Sequence, residues 1–218
     1  MQLCEINSID AEHPVSQQYP AAPTVVWIHG VNQSELTFAY LRARCGFARE
    51  IAVNYNSLNT FYNNLTLMVN QLSDAGPLFV VGHSLGGLYA LHLVQHVNIV
   101  GAVSISTPFR GSSAADWAKY IVPNFPLFRE VGRNAPPIVE AEKISINIPW
   151  TQIVSTRGTV PYLRNPNDGV VTRESMRHRS DVECVDVPHT HYEVVCSDIV
   201  AKIIKQQYHR VADTVQPN

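Results

Sequence analysis

The 218-residue sequence predicts an α/β chain, a mostly parallel sheet covered by helices on both faces. Apolar runs of strand length alternate with longer stretches of helical periodicity, the pattern of successive βα units. Those strand-like runs are continuous rather than alternating, which suits strands buried on both sides. A hydrophobic content of 45% with 16% charged residues supplies one substantial core and lies outside the disordered range.

The elements follow in order. Thr24-Val25-Val26-Trp27-Ile28, after Pro23, reads as the first buried strand. Helical patterning covers residues 35–44, and a short strand lies near 51–55. Residues 57–73 read as a second helix, stopped by Gly76-Pro77. A strand at 78–81 is followed by a helix at 85–94, and the run IVGAVSIS at 99–106 is the next strand. Strands at 150–155 and 182–187 complete a sheet of about six. Residues 192–208 carry Val195, Ile199 and Ile203 at helical spacing and read as the closing helix.

One stretch breaks the rhythm. Between Pro108 and Pro149 no strand is evident, and Pro, Phe and Trp are frequent. Long structureless connections in a compact domain usually serve function. Residues 111–149 therefore read as a cap inserted into a single domain of residues 1–218. The competing reading packs Trp117, Tyr120, Ile121, Phe125, Leu127 and Phe128 as ordinary core.

Charge and composition exclude several classes. The formal net charge is −2 and Lys and Arg form no run, so no surface for nucleic acid or anionic membrane is advertised. No apolar stretch is long enough to span a bilayer. The opening MQLCEINSIDAEHP lacks the basic-then-apolar order of a secretory signal, so a cytoplasmic protein is expected. Cys4, Cys45, Cys184 and Cys196 are scattered without a CxxC pair, which favours reduced thiols and no metal site.

The chemistry concentrates at FVVGHSLGGL, residues 79–88. A Gly-x-Ser-x-Gly between a buried strand and a helix has the form of a nucleophile elbow, which aims Ser84 above the sheet's carboxyl edge. An N-capping serine in a Gly-rich turn is the plain alternative. The helix behind Ser84 offers the Leu85 N–H to a developing oxyanion, and VVWIHGV (25–31) offers the Val31 N–H from the loop after the first strand. His29 in that loop reads as a shaping residue, because a base is expected late in the chain.

In the order nucleophile, acid, base, the acid is expected at Asp168 in NPNDGVVT and the base at His191 in VPHTHYEVV. Asn-Asp-Gly also suits an Asx turn, the plain reading of Asp168. His189 competes with His191, and Asp181, Asp186 and Glu174 are fallback acids that follow strand ends less cleanly.

With TPFRGSSAADW at 107–117 added, the chain resembles the α/β-hydrolase superfamily, in its small lipase and esterase branch, over residues 25–195. The 23 residues before Thr24 leave no room for two further N-terminal strands, so a minimal version of that sheet is expected. The resemblance implies a Ser84–Asp168–His191 triad, an oxyanion hole at Val31 and Leu85, and no cofactor. It implies a small ester substrate with an apolar acyl chain and transient contact with lipid surfaces. An acyltransferase, a thioesterase or a phospholipase A would use the same triad, and a non-catalytic binding protein on this fold is the reading from a different class.

Overall fold

The structure is a computed structural model that describes residues 22–111, 127, 130, 132–158, 160 and 165–215. Of the expected cap residues, Trp117, Tyr120, Ile121, Phe125 and Phe128 lie outside this set.

The six strands are β1 (Thr24–Ile28), β2 (Glu50–Val53), β3 (Leu78–His83), β4 (Ile99–Ile105), β5 (Trp150–Ser155) and β6 (Glu183–Val187). They form one sheet in the order β2-β1-β3-β4-β5-β6, and every pairing is parallel. The chain steps outward from β1 to β2 and then returns to the other side of β1 for β3. This reversal makes the carboxyl ends of β1 and β3 the switch point, the place where open α/β sheets leave a crevice for ligands.

Side chains alternate between two cores, as the two-residue period of a strand dictates. Val26, Ile28, Leu78 and Val80 face one core with α2 (Phe61–Leu72) and α3 (Leu85–Leu93), through Phe61, Met68 and Leu88. Val25, Trp27, Phe79 and Val81 face the other with α1 (Ala39–Cys45) and the C-terminal helix, through Leu41, Val200 and Ile204. Every residue of α3 is buried, which matches its apolar character all round. The edge strand β6 exposes Glu183 and Asp186.

Several boundaries differ from expectation for local reasons. The first helical segment opens with a 3-10 turn, Glu35–Phe38, before α1 begins. The second starts at Phe61 because the Thr60 side chain accepts the Asn63 N–H as its N-cap. A helix missed by periodicity, α4 (Pro136–Ala141), starts on prolines, which fit the first helical turn. Its Ile138 and Ala141, like Leu127, pack into the core shared with α3, so for these residues of the cap segment the plain-packing reading holds.

A single helical turn, α5 (Arg173–Met176), was also unforeseen. The closing helix is interrupted. A 3-10 turn at Glu193–Cys196 is followed by Ser197 in extended conformation (φ −116°, ψ 128°) and then by α6 (Asp198–Val215). The Ser197 hydroxyl accepts the Val200 N–H and caps α6, so the break is built from the serine itself. No described helix is long and apolar enough to cross a membrane.

Candidate active site

β3 delivers Ser84 in a conformation that L-residues rarely adopt, φ 52° and ψ −118°. Such a backbone costs about 1–3 kcal/mol and persists only where the surroundings enforce it. Here the Ser84 N–H donates to the Ile105 carbonyl at 2.8 Å, which ties the turn to the end of β4. Close approach of strand and helix does the rest. A Cβ on Gly82 would meet the Gly86 carbonyl at 2.6 Å, and one on Gly86 would stand 1.9 Å from the Ile28 carbonyl oxygen.

Because that obstacle is backbone, Gly86→Ala has no side chain to push aside. We expect it to cost about 3 kcal/mol, lowering Tm by roughly 6–12 °C in thermal unfolding. A Tm within 2 °C of wild type, by the same scale, would contradict this close approach.

At the end of β1, His29 is buried and its Nδ1 donates to the Gly30 carbonyl at 2.8 Å. Its ring stacks on Tyr55 at 4.2 Å, and the Tyr55 hydroxyl donates to the His29 carbonyl at 3.1 Å. Burial holds its pKa below the usual histidine range, and its contacts shape the loop as expected.

The next backbone groups are taken in turn. Gly30 N–H donates to Gln33 Oε1 at 3.0 Å, and Asn32 N–H donates to Ser57 Oγ at 2.8 Å. Between them, the Val31 N–H has no hydrogen-bond partner among the described residues. Leu85 is the first residue of α3, and its N–H belongs to the turn a helix leaves open, at the positive end of the dipole.

The expected acid and base meet directly. His191 Nδ1 donates to Asp168 Oδ2 at 2.8 Å, and both side chains are almost wholly buried. Their loops are joined again where the His191 N–H donates to the Asp168 carbonyl at 3.0 Å. Asp168 also makes the Asx-type turn, with Oδ1 accepting from the N–H groups of Val170 at 3.0 Å and Val171 at 2.7 Å. One carboxylate oxygen therefore makes the turn and the other the contact with His191.

Burial alone raises the Asp168 pKa. Hydrogen bonds from His191, Ser155 and Val171 outweigh it, and the carboxyl sits below its ordinary value. With the imidazole proton held on Nδ1, Nε2 is left as the free lone pair.

His83, the residue before Ser84, links the pieces. Its Nε2 donates to the His191 carbonyl at 2.9 Å, and the two rings lie 4.9 Å apart. Its Nδ1 sits 3.1 Å from Gln33 Oε1, the atom that orients Gly30. No hydrogen bond joins Ser84 Oγ to His191 among the described residues; such contacts are often long before substrate binds.

Complete burial, reinforced by His191, lowers the His83 pKa to about 3 from 6.5. The unfolded chain takes up this proton below pH 6.5 while the folded chain refuses it until about pH 3, so stability falls as pH drops through that window. We expect a slope of about 1.4 kcal/mol per pH unit from this residue. Urea unfolding of His83→Asn across the window should show one proton fewer; an unchanged slope would remove His83 as the cause.

The competing residues are engaged elsewhere. His189 Nε2 pairs with Ser197 Oγ at 2.7 Å, below the cap of α6. Glu174 pairs with Arg110 at 2.7 Å, Asp181 with Arg179 at 2.5 Å, and Asp186 with Arg177. Among the described residues no cluster of three His, Cys, Asp or Glu side chains is placed to hold a metal ion. Sequence reasoning overlooked Ser155, Ser106, Gln33 and His83. The first two end predicted strands, so their place at the sheet edge was legible while their partners were not.

No protein-family model and no curated protein sequence matches the chain. Solved structures do. The mature Bacillus licheniformis lipase BlEst2 superposes with TM-score 0.67 at 15% identity, covering 90% of this chain and 96% of the lipase. The Paleococcus ferrophilus monoacylglycerol lipase gives 0.61 at 14%, covering 89% and 96%. The Legionella pneumophila phospholipase PlaB, in complex with thio-NAD, gives 0.66 at 9%, covering 88% of this chain and 61% of that one. At these identities the shared property is the α/β-hydrolase fold.

Proposed function

We propose, with the α/β-hydrolase fold as premise, that the protein is a serine hydrolase of carboxylic esters. Ser84 is the nucleophile, His191 the general base and Asp168 the residue that orients it. His191 Nε2 takes the hydroxyl proton as Ser84 Oγ adds to the ester carbonyl, and Asp168 stabilises the imidazolium. The N–H groups of Val31 and Leu85 receive the oxyanion, each contributing about 3–4 kcal/mol to lowering the barrier if preorganised. His191 returns the proton to the departing alkoxide, and water then cleaves the acyl-enzyme through the same base.

The observation that carries this reading is the buried Asp168–His191 pair, whose backbone His83 ties to the strained Ser84 turn. An N-capping role for Ser84 finds no support, since its side chain makes no cap hydrogen bond to α3. Residues 111–149 are proposed as the wall of an acyl pocket, with transient contact at lipid surfaces. The likeness to a phospholipase keeps phospholipid acyl cleavage as the second reading.

Hydrolysis of p-nitrophenyl esters from acetyl to palmitoyl, together with fluorophosphonate labelling mapped by peptide mass spectrometry, tests the proposal. One adduct on Ser84 and measurable turnover are expected. Labelling elsewhere, or none, would overturn it. Release of fatty acid from phospholipid vesicles, with p-nitrophenyl esters untouched, would favour the second reading.

A further inference from the structure

Two buried serines outside the proposed triad connect to its acid. Ser155, the last residue of β5, donates its hydroxyl to Asp168 Oδ2 at 2.5 Å, the same oxygen that receives His191 Nδ1. Ser106, just past the end of β4, lies 2.7 Å from Ser155, hydroxyl to hydroxyl. Both serines are fully buried, so no water competes for these bonds.

The proton directions follow from valence. An ionised carboxylate only accepts, so the single Ser155 proton goes to Asp168. Ser106 must then donate to Ser155. Met176 Sδ, 3.7 Å from Ser155 Oγ, is a weak acceptor that a charged oxygen outcompetes.

Ser106 is held for this task. Its φ is 53°, in the left-handed region, and its N–H donates to the Ile153 carbonyl of β5 at 2.9 Å. The described non-glycine residues with positive φ are three: Asn32 beside Val31, Ser84, and Ser106. The first adjoins the proposed oxyanion position and the second is the proposed nucleophile. The third has no role there, and strained backbone without a role is uncommon.

We propose that Ser106 and Ser155 form a two-hydroxyl relay that positions Asp168 for His191. Asp168 then accepts four hydrogen bonds, two on each oxygen, and its carboxyl plane is locked with Oδ2 toward the imidazole. Both serines are positioning residues, acting on the reaction only through Asp168. The inference rests on the proposed triad for its kinetic consequence, and on geometry alone for its hydrogen-bond consequence.

Two readouts separate those layers. The first is the far-downfield proton resonance of the His191 Nδ1–H···Asp168 hydrogen bond, read by NMR without substrate. It should move in Ser155→Ala, move less in Ser155→Cys, whose thiol is a weaker donor of similar shape, and move least in Ser106→Ala.

The second is kinetics on p-nitrophenyl esters. Ser155→Ala should lower kcat by roughly tenfold to a hundredfold, the size expected for a hydrogen bond to a charged group, with KM within about twofold. Ser106→Ala should lose about twofold to fivefold, and the double variant should be no worse than Ser155→Ala, since Ser106 acts through Ser155. Additive losses, or an unmoved resonance in Ser155→Ala, would overturn the relay. A resonance that moves in a protein without esterase activity would keep the relay and overturn the proposed function instead. If Ser155→Ala does not fold, the Ser155→Cys and Ser106→Ala series decides by the same criteria.

Discussion

Ser84→Ala is expected to lower kcat on p-nitrophenyl esters by about 10⁵-fold or more while the protein stays folded, the scale of loss when a triad nucleophile is removed. The Ser84 hydroxyl makes no hydrogen bond among the described residues, so its removal leaves no buried partner unsatisfied. Fluorophosphonate labelling should vanish with it. Ser84→Gly sharpens the test. Glycine adopts φ 52°, ψ −118° without the Cβ penalty, so this variant should be as inactive yet more stable by about 1–2 kcal/mol, a Tm rise of a few degrees. A serine that serves only structure predicts the reverse pattern. Retained turnover in Ser84→Ala, with the expected fold, would end the proposed mechanism.

Asp168→Asn should lower kcat by about 10⁴-fold, through the tautomer of the base rather than its position. The amide has one acceptor and one donor end. The N–H groups of Val170 and Val171 are fixed backbone donors, so they claim the oxygen and turn the NH2 toward His191. Facing a donor, His191 Nδ1 becomes the acceptor and its proton moves to Nε2, where the base needs a lone pair. Ser155 adapts at little cost, since a hydroxyl rotates to accept. Steady-state kinetics with a thermal melt separates the effects. A tenfold loss or less with intact stability would mean that Asp168 does not set the tautomer, and would return Asp181, Asp186 and Glu174 as candidates despite their arginine partners.

Much of this arrangement is legible along the chain because the forces behind it are local. Buried strands show as runs such as Val25–Trp27 and Phe79–Val81, and the close approach that Gly82 permits lies within the motif, whereas Gly86 answers to the Ile28 carbonyl of β1. Failures arose where a local signal was overruled nearby. The periodicity through Val195 and Ile199 continues across Ser197, yet the serine turns out of the helix to cap the next one. Pro136 hid α4, since proline reads as a breaker although it suits a first helical turn. The Asx turn of Asp168 and its contact with His191 looked exclusive in sequence, because a letter does not display its two oxygens separately.

The sequence by itself determined the parallel α/β architecture, the strand–turn–helix that holds Ser84 and the chain order of the candidate acid and base. Periodicity and the Gly82–Gly86 contact act between residues a few positions apart. Only the tertiary structure decided that His191 rather than His189 meets Asp168, that His83 donates to the backbone of His191, and that Ser106 and Ser155 stand behind Asp168. Each of those choices brings together residues at the carboxyl edge of the sheet. The sheet order makes them neighbours, and it is set by the packing of both cores at once.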